Sequence, residues 1–350
     1  MSMICRISAL LLLSAGLWLG NVDLAPDDLI FGVPPATAGG SCRPAMSGTF
    51  YQPLVKDLEW GEDRWRSLED TLHGLGMTEV FVQWSSADGI AFYPSSALPG
   101  PVGSPIDRLF DLARRRQLDV WVGLDLDKDF LPNLRKPAAT LAAHLRERER
   151  RLARLLPDLA AYLRRQDRLA GWYISAEVDD GAWIDGPAGP AVRRHLQRLS
   201  RMLKTAIDRP VAISAFANGH LPPERYAAFW RDTMQEAEID LLLFQDGVGA
   251  AKLTPAEAGR YATALAREVR HADRQFGVII EQFGQRPDAG GDAPPLFAPA
   301  PPARVRQQLD ATAALADIRR IAFTVPDYLL PENGDRTLLD ALHADLAACR

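Results

Sequence analysis

Two glutamates close apolar runs in this chain of 350 residues: Glu177 ends Gly171-Trp172-Tyr173-Ile174-Ser175-Ala176-Glu177, and Glu281 follows Gly277-Val278-Ile279-Ile280. Such a pair suits glycoside cleavage, in which one carboxylic acid protonates the leaving oxygen and a second carboxylate attacks the anomeric carbon or activates water. Period-two alternation puts Tyr173, Ser175 and Glu177 on one face of their run. The ends of the other apolar runs carry Tyr51 and Gln52, Gln83 and Trp84, Asp125 and Asp127, Asp179 and Asp180, Asn218, Gln245 and Asp246, Gln282, and Asp327 and Tyr328. Carboxylates, amides and flat rings fit a sugar, whose hydroxyls need fixed donors and acceptors while its C–H face stacks on an aromatic ring.

The catalytic candidates are therefore Glu177 and Glu281. The substrate-binding candidates are Tyr51, Gln52, Gln83, Trp84, Asp125, Tyr173, Asp179, Asn218, Gln245, Asp246 and Gln282. Asp246 rivals them for a catalytic role, because Asp179 or Asp180 with Asp246 would serve an α-linked sugar; as an Asp-Gly turn it would instead cap backbone amides. A salt bridge across the mouth is the plain structural alternative for Glu177, and a hydroxyl ligand that for Glu281. Trp121 and Trp172 lie within runs and suit a core, whereas Trp183 falls in a loop.

No cofactor or metal is called for. The six histidines do not cluster with these residues, and His220 stands alone. Pro53-Leu54-Val55-Lys56-Asp57 occupies the place where a nucleotide-binding fold carries its glycine-rich loop. There is no GxSxG.

The elements that must position these groups alternate short β-rich runs with amphipathic stretches, eight times over. The strands read as Gly48 to Gln52, Glu79 to Ser85, Asp119 to Asp125, Ala170 to Glu177, Val211 to Asn218, Asp240 to Asp246, Phe276 to Gln282 and Ile321 to Asp327. Near-continuous apolar strands indicate burial on both faces, and eight strand–helix pairs indicate a single-domain α/β protein, a (β/α)8 TIM barrel, over residues 39–350. Helices fall between, as in Ser104 to Gln117. The basic stretch Leu141 to Arg168 interleaves Glu147 and Glu149 with arginines and reads as a solvated helix face, kinked or divided at Pro157. Gln285 to Pro302, rich in Pro, Ala and Gly, reads as a wall or lid of the cleft.

Residues 1–38 read as a signal peptide and flexible leader: Arg6 precedes an apolar run from Ile7 to Leu19, too short to span a bilayer comfortably. Export to the periplasm or medium follows as an expectation, with an uncleaved amino-terminal anchor as its variant. Cys42 precedes the first strand and Cys349 ends the last helix, two points that meet at the bottom of a closed barrel; a disulfide there would close a very long loop, worth about 4 kcal/mol in the chain-entropy model. A composition of 47% hydrophobic and 24% charged residues with net charge −5 gives no appetite for nucleic acid.

Two resemblances add to this. The strand order and two glutamates resemble the retaining β-glycosidases built on (β/α)8 barrels, which implies Glu177 as acid/base after strand four and Glu281 as nucleophile after strand seven. The pattern departs at Ala176, where those enzymes carry asparagine. Gly48-Thr49-Phe50-Tyr51-Gln52-Pro53, Trp172-Tyr173-Ile174-Ser175-Ala176-Glu177-Val178-Asp179-Asp180 and Leu243-Phe244-Gln245-Asp246-Gly247-Val248-Gly249 resemble the bacterial family known as domain of unknown function 4434, across nearly the whole chain after the leader. That resemblance implies a glycosidase-type barrel. The expected function is an exported glycoside hydrolase acting on a bacterial polysaccharide or oligosaccharide; the alternative is a non-catalytic carbohydrate-binding barrel that assists exopolysaccharide assembly or export.

Overall fold

Eight strands close on themselves, every neighbouring pair parallel. They are β1 (Gly48–Tyr51), β2 (Glu79–Val82), β3 (Asp119–Gly123), β4 (Leu169–Val178), β5 (Val211–Phe216), β6 (Leu241–Gln245), β7 (Gln275–Glu281) and β8 (Arg319–Phe323). A computed structural model describes residues 45–100, 103–134, 136–181, 184, 188–286 and 296–348. The leader, Cys42, Cys349 and Trp183 lie outside the described residues. Strands follow one another round the barrel in chain order, and β8 returns to β1 with Ile321 opposite Gly48.

The helices α1 (Glu62–Gly74), α2 (Pro105–Arg116), α3 (Ala138–Leu163), α4 (Gly189–Ala206), α5 (Pro223–Ala237), α6 (Pro255–His271), α7 (Pro302–Asp310) and α8 (Thr337–Ala348) each follow the strand of the same number. Their starts are written locally. Ser104 caps α2 by accepting the Asp107 N–H ahead of Pro105, and Thr254 with Glu257 forms a capping box for α6. Among the described residues no helix is long and apolar enough to cross a membrane.

The expected strands are all present, with shifted ends. The largest shift is in β8, which stops at Phe323. Thr324 then accepts the Asp327 N–H and opens a helical turn over Val325–Tyr328, so Asp327 and Tyr328 are not strand residues. Pro326 cannot donate to a ladder and suits that turn. Pro157 does not divide α3, which runs unbroken over 26 residues. After β7, Phe283–Arg286 pairs antiparallel with Leu296–Pro299, and residues 287–295 of the expected wall or lid lie outside the described residues.

Inside the barrel Phe50, Phe81, Trp121, Tyr173, Leu241, Leu243, Ile279 and Ile321 form one packed cluster, with the Phe81 and Trp121 rings stacked at 5.3 Å. Gly171 makes room for this, because the Trp121 ring and the Pro210 carbonyl stand where its side chain would begin. Trp121 is thus a barrel core residue, while Trp172 points the other way and donates to the Ile207 carbonyl at 3.1 Å.

Candidate active site

Catalytic groups in such a barrel belong at the carboxyl ends of its strands, so the face each end residue presents decides its use. Counting by twos from the interior cluster puts Gln52, Gln83, Ser175, Glu177, Gln245 and Glu281 inward, and Tyr51, Trp84, Asp246 and Gln282 outward. Contacts agree. Tyr51 is buried against Trp60 and Trp65, and its hydroxyl donates to Asp57. Trp84 is 0% exposed, with its indole N–H on the Pro53 carbonyl. Gln282 is equally enclosed and donates to Met46 Sδ. These three, expected as sugar ligands, are packing residues behind the strands; each ends a strand on its outward face.

The inward groups form a connected mouth. Tyr173 Oη lies 2.7 Å from Ser214 Oγ, and Gln245 Nε2 donates to the same Ser214 at 3.3 Å. Gln245 also holds the Glu177 carboxyl by a side-chain hydrogen bond. Glu177 is half-buried at the end of β4, and burial pushes its carboxyl up to about 7, with the Gln245 bond opposing and the nearby Asp179 charge adding. An acid with that value is half protonated near neutral pH, the condition a general acid needs. Across the mouth Gln52 Nε2 donates to Gln83 Oε1 at 2.6 Å, and Ser175 Oγ donates to the Gln83 carbonyl at 2.5 Å.

Two aspartates follow Glu177 and do different work. Asp179 accepts from the Gly181 N–H at 3.0 Å and from Asn218 Nδ2 at 3.1 Å. Asp180, 1% exposed, accepts backbone N–H groups from Asn218, His220 and Leu221 at 2.6, 2.7 and 3.1 Å. It is a staple between the loops after β4 and β5.

Glu281 sits in a closed compartment. It is 2% exposed, its Oε2 accepts the Ala250 N–H at 2.8 Å, and a Cβ added at Gly249 would stand 3.0 Å from that oxygen. The Phe283 carbonyl would stand closer still, at 2.5 Å, which explains a glycine at 249. Asp246, also 2% exposed, takes the Val248 N–H at 3.2 Å, the Glu281 N–H at 3.4 Å and Gln308 Nε2 of α7 at 2.5 Å. Burial pushes both carboxyls up, Glu281 further because the Asp246 charge repels its own. Asp246 is thus turned out of the mouth toward α7, and Glu281 is an enclosed acid, its protonated form favoured by burial and by the Asp246 charge, rather than an open nucleophile.

A pH dependence follows. A folded carboxyl raised above its unfolded value holds a proton that the unfolded chain has already released, so stability falls as pH rises through the folded value. Wild type is expected to lose stability relative to Glu281→Gln as pH rises from about 5 to about 9. Urea unfolding across that range checks it, and a difference constant with pH would contradict it.

Asp125 is likewise committed elsewhere. It is 3% exposed and accepts from Ser86 Oγ at 2.8 Å, Arg148 Nη1 at 2.5 Å and Arg151 Nε at 2.7 Å. Both arginines belong to α3, so the inner side of that basic helix is an ionic seam against β3 rather than a solvated face. Glu149 of the same helix meets buried His195 at 2.7 Å and Arg198 at 2.8 Å, both on α4. Sequence reading missed Ser214, Gln308, Arg148, Arg151 and the Ala250 amide; only Gly249 carried a local signal.

Comparison with known proteins agrees with this architecture. A solved structure of a Bacteroides thetaiotaomicron protein, named provisionally as an alpha-L-fucosidase, aligns with TM-score 0.71 and 17% identity, covering 93% of this chain and 100% of that one. A monomeric beta-xylosidase of Caulobacter crescentus aligns with TM-score 0.50 and 11% identity, covering 87% and 69%. At such identities the likeness speaks for the fold alone. In sequence, the chain is 25% identical over 245 residues to the uncharacterized protein YbcH of Escherichia coli K12, covering 68% of this chain and 77% of YbcH. With residues 46–335 matching its pattern, the chain belongs to the family described as domain of unknown function DUF4434.

Proposed function

We propose that this protein is an exported glycoside hydrolase of bacterial polysaccharides or oligosaccharides, with Glu177 as its general acid/base. The observation that carries this reading is Glu177 itself: a half-buried carboxyl at the end of β4, held by Gln245 and raised to about 7. The amides of Gln52 and Gln83 across the mouth, and of Asn218 on Asp179, are the fixed donors and acceptors that sugar hydroxyls need. Export is supported by the leader's apolar run, Ile7 to Leu19. A screen of the purified protein against bacterial exopolysaccharides, read by mass spectrometry, is expected to show released oligosaccharides. Binding without release across the panel would sink the proposal.

A further inference from the structure

We infer that Glu281 serves this site as a neutral carboxylic acid that donates a hydrogen bond from Oε1 to an oxygen of the bound sugar, and not as a nucleophile. The inference rests on the glycosidase reading of Glu177 and gives the second glutamate a different task.

The first question is where the proton sits. Asp246 and Glu281 are each 2% exposed, and Asp246 Oδ1 accepts the Glu281 N–H at 3.4 Å. Arg304 of α7 stands beside both: its Nη2 donates to the Glu281 carbonyl at 3.1 Å, and its charge acts on each carboxyl. One guanidinium offsets one negative charge, and two neighbouring carboxyls in a buried site do not both ionise. Hydrogen bonds to the charged form decide which of them keeps the charge. Asp246 takes three donors, the Val248 N–H, the Glu281 N–H and Gln308 Nε2. Glu281 takes the Ala250 N–H at 2.8 Å, with the Gly249 amide beside it. The charge therefore settles on Asp246 and the proton on Glu281.

The second question is where that proton points. Oε2 is engaged as an acceptor by the Ala250 N–H, so Oε1 is the oxygen that bears hydrogen. Oε1 has no hydrogen-bond partner among the described residues. Nor is it sealed from solvent, unlike the unpartnered Gln282 Oε1 and Gln308 Oε1 nearby. The small surface that Glu281 keeps therefore includes Oε1. Ile279, two residues earlier, belongs to the interior cluster, so the register of β7 aims Glu281 into the mouth. On the adjacent strand Gln245 pairs with Ile279 and holds the Glu177 carboxyl. A ring engaged by Glu177 thus lies against Gln245, one strand from the Glu281 O–H. An acid kept neutral by its surroundings acts as a hydrogen-bond donor in other enzyme sites, and its lone pairs are poor nucleophiles.

Two arms test this on the purified full-length protein. The difference infrared spectrum between wild type and Glu281→Gln at neutral pH needs no substrate and is expected to show loss of the carbonyl stretch of a protonated carboxyl. Loss of carboxylate bands instead would overturn the inference. The kinetic arm uses nitrophenyl glycosides of neutral hexoses in both anomeric forms, with a 2-deoxy-2-fluoro glycoside as a trap for an enzyme nucleophile. Glutamine repeats the pattern of a protonated glutamate, an oxygen toward Ala250 and an N–H toward the mouth. Glu281→Gln is therefore expected to stay within about tenfold of wild-type kcat/KM, while Glu281→Met falls about 10- to 100-fold, mostly through KM, because a sugar oxygen is left unpaired. Loss of a nucleophile would cost about 10,000-fold or more in either variant. The fluoro sugar should leave no adduct mass on Glu281. A collapse of Glu281→Gln on that larger scale, a fluoro-sugar adduct on Glu281, or wild-type kinetics in Glu281→Met would overturn the inference while leaving Glu177 as acid. Failure of wild type to cleave any glycoside would remove the hydrolase reading, and the donor role with it, whatever the infrared bands show.

Discussion

Glu177→Gln is expected to slow cleavage of glycosides with poor leaving groups by about 100- to 10,000-fold, the contribution of a positioned general acid. A dinitrophenyl glycoside should be spared in its first step, because that leaving group departs without a proton. The split arises from the chemistry of the bond, so a merely misfolded variant would not reproduce it. Glutamine keeps the size of the side chain and a partner for Gln245, so the hydrogen-bonded group of Tyr173, Ser214 and Gln245 should persist. Equal loss on both leaving groups would place Glu177 outside the proton transfer.

Asp125→Ala is expected to cost about 3 to 5 kcal/mol of folding stability, because removing one partner of a buried pair strands the other charge. The side chains of Asp125 and Arg148 are 2% and 10% exposed, while Arg151 is open enough to reach water at 40%. Burial alone would raise the Asp125 carboxyl, yet the hydrogen bond from Arg151 and the Arg148 charge hold it below the usual range. The pair therefore adds stability that is present above the unfolded aspartate value and lost as pH falls below it. Urea unfolding at neutral pH measures the cost. Replacing both partners, Asp125→Leu with Arg148→Met, should recover much of it, since apolar substitutes for a buried ion pair are close to neutral. If Asp125→Ala unfolds at the wild-type midpoint, the seam between α3 and β3 is not holding the helix.

The barrel was legible because buried parallel strands are continuous apolar runs, and eight of them recur between amphipathic helices. The location of the mouth was legible too, since a strand end is a local feature. Which residues face the mouth was only partly so. Alternation read along β4 correctly paired Tyr173, Ser175 and Glu177, but taking the last two residues of every strand mixed faces, which brought in Tyr51, Trp84 and Gln282. One step of register separates a sugar ligand from a core side chain. The fate of the carboxyls was hidden for another reason. Asp125 is neutralised by arginines more than 20 residues away in the chain, and Asp246 is held by Gln308 across 62 positions. Glu281 is closed by the amides of a loop from a different strand. Such partners are set by packing, and short motifs around each acid do not contain them.

The most direct measurement of the central claim is the pH dependence of kcat/KM for an unactivated glycan substrate in wild type and Glu177→Gln. The account predicts that wild-type activity falls on the alkaline side with an apparent value near 7, where Glu177 loses its proton, and that the residual activity of Glu177→Gln lacks this limb. The same alkaline limb persisting in Glu177→Gln would show that another group supplies the proton.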